Sequence, residues 1–86
     1  MTTEQRIKQF IVENFYVSDA AALTAETSLI NGGWVDSTGM LEMVAFLEVE
    51  FGIQVSEEEL VPENFETIAR MVAYLDGKRA QKAPLR

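Results

Sequence analysis

Apolar positions recur with helical spacing in three separate stretches of the chain. Ile7, Phe10, Ile11 and Phe15 fall at helical spacing, on one face of a 3.6-residue turn, with Asn14 interrupting the stripe. This spacing predicts an amphipathic helix from a Thr2 or Thr3 cap to about residue 16. A second stripe, Met40, Met43, Val44, Leu47 and Phe51, predicts a helix that begins after Asp36, a good N-cap, and stops at Gly52. A third, Ile68, Met71, Val72 and Leu75, predicts a last helix over 68–76, capped by Thr67 and ended by Gly77. Ser56 with Glu59 three residues on reads as a capping box for a short helix that Pro62 limits.

Between the first two helices, residues 17–35 are rich in turn formers: Ser18-Asp19, Thr24, Thr27-Ser28 and Asn31-Gly32-Gly33. A loop of that length in a compact domain needs anchors. Leu23, Leu29, Ile30 and Trp34 are expected to supply them, with a short helical turn near residues 19–23. No stretch alternates like a strand. The predicted fold class is all-α: a four-helix bundle with three longer helices, one short third helix and a long first loop. A single domain is expected over 1–77, followed by a basic, disordered tail over 78–86.

With 86 residues there is room for one domain with a thin core. The chain has no cysteine and no histidine, which removes thiol nucleophiles, thiolate or imidazole metal sites and any Ser-His pair. The net charge is −7, and the seven basic residues all lie outside residues 9–69. Those same residues carry twelve acidic side chains. Such a surface disfavours nucleic acid and anionic membranes and favours basic protein partners. No apolar run approaches the ~18 residues that span a bilayer, and the first residues lack the pattern of a secretion signal; a cytoplasmic location is expected.

On a wheel of 100° per residue the second helix turns Thr38, Leu41, Glu42, Ala45 and Val49 away from its core stripe, with Glu48 beside Leu41. Ser37, Leu41, Ala45 and Glu48 form one ridge. This strip of apolar residues in an acidic frame suits a basic partner with an apolar groove. Ser37 opens the helix directly after its cap. An anionic group on its oxygen would lie near free N–H groups and the positive end of the helix dipole, favourable by roughly 0.3–1 kcal/mol. No base stands beside Ser37 except Asp36, so Ser37 reads as an attachment point that an outside enzyme loads.

At these residues, Val35-Asp36-Ser37-Thr38-Gly39-Met40-Leu41-Glu42-Met43-Val44 and Leu47-Glu48-Val49-Glu50-Phe51-Gly52-Ile53, the sequence resembles the acyl carrier protein family. The acidic Ser56-Glu57-Glu58-Glu59 and the Asn64-Phe65-Glu66-Thr67-Ile68 step extend the likeness to about residues 7–75. The resemblance implies a carrier without catalytic activity of its own. Ser37 would receive 4′-phosphopantetheine from CoA through a Mg²⁺-dependent phosphopantetheinyl transferase, and Asp36 would assist. Thr38, Leu41, Glu42, Ala45, Glu48 and Val49 would meet partner enzymes. The cargo, acyl or aminoacyl, would ride as a thioester, loaded by an adenylate-forming ligase and passed to acyl-processing enzymes; the carrier would act as a monomer.

Two positions depart from the family's pattern. Thr38 replaces the usual Leu or Ile, and Gly39 stands where an acidic or polar residue is common, at a cost of up to ~1 kcal/mol relative to Ala near a helix start, so that local flexibility there is expected to be tolerated or useful. Asp-Ser-Thr-Gly resembles stand-alone carriers served by ligases, some of which load amino acids, whereas the acidic second helix resembles fatty-acid carriers.

Three other readings compete. A non-covalent acidic adaptor would use Ser37 only as a helix-start residue. A calcium sensor fails because Met40 and Val44 interrupt the ligand positions between Asp36 and Glu48. An enzyme lacks both side chains and room for a pocket. The methionines and phenylalanines read as core, and the methionines could yield to admit an acyl chain.

Overall fold

A computed structural model describes residues 2–15, 17 and 19–82, with side chains through residue 79. Among them lie four α-helices: α1 (Thr3–Asn14), α2 (Ser37–Phe51), α3 (Pro62–Phe65) and α4 (Ile68–Lys82). Two single 3₁₀ turns, Ala20–Ala22 and Glu57–Glu59, sit in the connections.

Each long helix starts where a side chain takes an orphan N–H. Thr2 accepts the Gln5 N–H at 3.1 Å while the Gln5 side chain accepts the Thr2 N–H at 2.8 Å. Asp36 Oδ1 accepts the Gly39 N–H at 2.6 Å. Thr67 Oγ1 accepts the Arg70 N–H at 3.0 Å. At its end α1 stops at Asn14, whose amide donates to the Phe10 carbonyl at 3.0 Å, and Phe15 is already extended. The last residue expected in that helix, Tyr16, lies outside the described residues. Gly52 ends α2 in the left-handed region, with φ +66°.

The core gathers Ile7 and Ile11 of α1, Met43, Val44 and Leu47 of α2, Ile53, Phe65, and Ile68, Met71 and Leu75 of α4. Met40 and Phe51, read from the wheel as core, are only half-buried at its edge. The long first loop contributes Leu23, Leu29 and Val35. Leu29 is its main anchor: its N–H donates to the Glu66 carbonyl at 2.9 Å, and its carbonyl accepts from Trp34 and Val35. Ala69 N–H reaches back to the Ala25 carbonyl at 2.9 Å. Trp34 packs against the core as expected, but Ile30 does not; it is exposed, and Val35 takes the buried place.

Three expectations need correction. Pro62 does not limit a helix begun at Ser56. That segment makes one 3₁₀ turn, and Pro62 opens α3 from its first position, where its missing N–H costs nothing. Gly77 does not end α4, which continues to Lys82. Glycine costs ~1 kcal/mol in a helix interior, and the two residues after it hold the helix against other parts of the chain. Lys78 bonds Glu59, and the Arg79 guanidinium lies 5.1 Å from the centre of the Phe51 ring. The helix thus takes in the first part of the segment expected as a tail; residues 83–86 lie outside the described residues. Gly39, at the start of α2, is buried and closely packed rather than loose.

Candidate functional site

Ser37 is the first residue of α2 and is exposed. Because Asp36 makes the cap, the Ser37 hydroxyl is not needed to start the helix. The Met40 N–H goes to the Asp36 carbonyl at 2.8 Å and the Gly39 N–H to its carboxylate. The N–H groups of Ser37 and Thr38 have no acceptor among the described residues. A phosphate ester on Ser37 would therefore sit beside unpaired donors at the positive end of a four-turn helix.

Thr38, Leu41, Glu42, Ala45 and Val49 are all exposed, Leu41 at 63% and Val49 at 86%. Glu48 differs from them. It is half-buried, and its Oε2 accepts the Val55 N–H at 2.9 Å, tying the strand-like exit from α2 back onto the helix. One of its oxygens is thus engaged inside the domain, so Glu42 is the freer of the two carboxylates on this face.

Beside Ser37 lies an apolar groove of about 330 Å³. It is lined by Ser28, Ile30 and Asn31 of the first loop, by Ser37, Met40 and Leu41 of α2, and by Leu60, Val61, Pro62, Phe65 and Glu66 in and around α3. Residues 60–62 lie outside the residues that the sequence pattern points to. Their signal was available: three consecutive apolar residues after an acidic turn, with Leu60 and Val61 left exposed. The exposed Ile30 also finds its explanation here.

The groove's lining at residues 60–62 hangs from Glu59. The Ser56 N–H and Lys78 hold the Glu59 carboxyl well below the ordinary range, at about 2. Tyr74 also donates to it, at 3.0 Å, and burial together with this carboxylate pushes the phenol upward. The Glu59 carbonyl in turn accepts the Asn64 side chain at 2.8 Å. Connected this way, the 3₁₀ turn, α3 and α4 set where Leu60, Val61 and Pro62 stand.

A family model described as a phosphopantetheine attachment site matches residues 5–75. The chain belongs to this family. The domain is thus a place of covalent 4′-phosphopantetheine attachment, and its all-helical architecture is that of the carrier proteins. Among solved structures, a chain from one titled "Crystal structure of FAD-dependent dehydrogenase" is similar to this carrier domain, with 29% sequence identity and a TM-score of 0.71. The likeness covers 80% of this chain and 97% of that one. No described helix is long and apolar enough to cross a membrane.

Proposed function

We propose that Ser37 is the residue that takes the arm, and that the domain carries an acyl or aminoacyl group on it without catalysing any step itself. The observation behind this reading is the exposed hydroxyl of Ser37 at a capped helix start, beside unpaired N–H groups and among the residues that line the groove. In the loading step the Ser37 oxygen attacks the pantetheine-bearing phosphorus of CoA. The new O–P bond forms as the pyrophosphate bond breaks. Adenosine 3′,5′-bisphosphate leaves, and the hydroxyl proton passes to a base of the phosphopantetheinyl transferase. Asp36 directly precedes Ser37 in the chain and assists the transferase and its metal ion. The arm then supplies the thiol that the chain lacks.

The face formed by Thr38, Leu41, Glu42, Ala45 and Val49 receives the transferase, an adenylate-forming ligase and later acyl-processing enzymes, with Glu48 at its edge. Its negative charge and exposed apolar side chains support this. The carrier acts as a monomer in the cytoplasm.

A flavin-dependent dehydrogenase belongs among those later enzymes. The similar chain fits almost wholly within this one, and a chain that short cannot itself enclose a dinucleotide cofactor. We infer that it is the carrier component of its structure. In the corresponding reaction of this carrier, the thioester cargo loses two hydrogens and the partner's flavin gains them.

Holo-protein charged by candidate ligases tests the reading. A thioester detected by mass only on protein with Ser37 intact is expected. Adding a flavin dehydrogenase should then lower the cargo mass by two hydrogens. A carrier that never accepts a thioester would contradict it.

A further inference from the structure

The first turn of α2 carries a contact that neither capping nor the core stripe explains. A Cβ on Gly39 would stand 2.7 Å from Phe15 Cε1, 3.0 Å from Val35 Cγ1 and 3.1 Å from Asp36 Oδ1. Distances under 3.0 Å are not tolerated between such atoms, so one neighbour would have to move. The Gly39 backbone is not in the left-handed region. Glycine is required here for space, not for conformation.

None of the three neighbours yields easily. Phe15 packs edge-on against Phe10 with ring centres 5.9 Å apart, and Phe10 stacks on Phe46 at 4.1 Å. Val35 is buried. Asp36 Oδ1 is the atom that accepts the Gly39 N–H. The end of α1 therefore bears directly on the turn that holds both Asp36 and Ser37.

We propose that the Phe15–Gly39 contact is a positioning device for arm attachment. The ring closes over the bare Cα of Gly39, holds the Asp36 carboxylate on the Gly39 N–H and so fixes the direction in which Ser37 offers its hydroxyl. Phe15 touches no reacting atom; it acts through Gly39 and Asp36. The inference rests on Ser37 as the attachment residue. Reactions of positioned groups lose up to ~100-fold for displacements near 1 Å, which makes this contact measurable in the transfer rate.

The test is transferase kinetics on the full chain. Peptide mapping of the wild type first locates the arm; an arm elsewhere than on Ser37 removes the reading and this inference together. With the arm on Ser37, Gly39→Ala should lower kcat on the order of 10-fold or more with KM little changed. Adding Phe15→Leu to Gly39→Ala makes room for the methyl and should recover most of the loss. Ile11→Val, which weakens the core while leaving Phe15, Gly39 and Asp36 themselves in place, should leave kcat unchanged. If Gly39→Ala does not fold, Phe15→Leu alone should lower kcat and shift the Gly39 amide resonance that reports its bond to Asp36. Wild-type kcat in the folded single variants, or a double variant as slow as Gly39→Ala, would overturn the proposal. So would a kcat for Ile11→Val that falls as far as that of Gly39→Ala, because stability alone would then set the rate.

Discussion

Lys78 Nζ donates to both carboxylate oxygens of Glu59, at 3.1 and 3.3 Å, across 19 residues of sequence. The pair closes the second half of α4 onto the 3₁₀ turn at Glu57–Glu59, and that turn leads straight into the groove wall at Leu60, Val61 and Pro62. Glu59 also holds the Ser56 N–H at 3.1 Å and accepts the Tyr74 hydroxyl at 3.0 Å, so one carboxylate closes its own turn and ties it to α4 at two places.

This carboxylate makes stability depend on pH in a defined direction. Its folded value, about 2, lies below the ordinary 4.5. A depressed carboxyl stabilises the fold fully above the ordinary value and ceases to do so as pH falls through the folded one. Thermal melts should therefore show the wild type losing stability between about pH 4.5 and 2 more steeply than Glu59→Gln. Parallel pH profiles for the two proteins would contradict the assignment.

The cap on α2 can be separated from any role in modification. Asp36→Ala should cost about 1 kcal/mol, seen as a melting point lower by roughly 4–8 °C in a domain of this size. Asp36→Asn keeps a cap acceptor and should melt near the wild type. If Asp36 also assists the transferase, Asp36→Asn should nonetheless be a poorer substrate for it.

Gly77 offers the opposite outcome, a gain. It lies inside α4 with ordinary backbone geometry, and a Cβ there would meet nothing within 4 Å. Gly77→Ala should raise stability by about 0.5–1 kcal/mol in denaturant titration. A helix that really ended at this residue, with Gly77 in a left-handed turn, would be destabilised instead.

Leu47 is fully buried between the helices. Leu47→Ala should cost about 2–5 kcal/mol through lost contacts and the cavity left behind. A domain this small has little stability to spare, so the variant should be largely unfolded by circular dichroism at 37 °C. A cooperative melt close to the wild type would mean that the α2 stripe is not the core.

Helix starts were legible in the sequence because their causes are local. Thr2, Asp36 and Thr67 each act on an N–H three residues away. Ends and breaks were less so. Whether Pro62 stops a helix or starts one depends on where the preceding turn closes, and whether Gly77 ends α4 depends on Glu59, far away in sequence. The attachment candidate was readable from Asp36-Ser37 and its register, but the groove was not, because Ile30, Met40 and Pro62 meet only in the folded chain. Glu48 shows the limit of a helical wheel: it sits on the expected edge, yet the path after Gly52 brings the Val55 N–H to it. Gly39 shows the same limit, since its crowding comes from the end of another helix.

The central claim is that the Ser37 hydroxyl holds the arm. Intact mass and peptide mapping after incubation with CoA and a broad-specificity phosphopantetheinyl transferase test it most directly. One added phosphopantetheine, located on Ser37 and lost in a Ser37→Ala variant that melts like the wild type, is the predicted result. An unchanged mass, or an arm retained by Ser37→Ala, would contradict it.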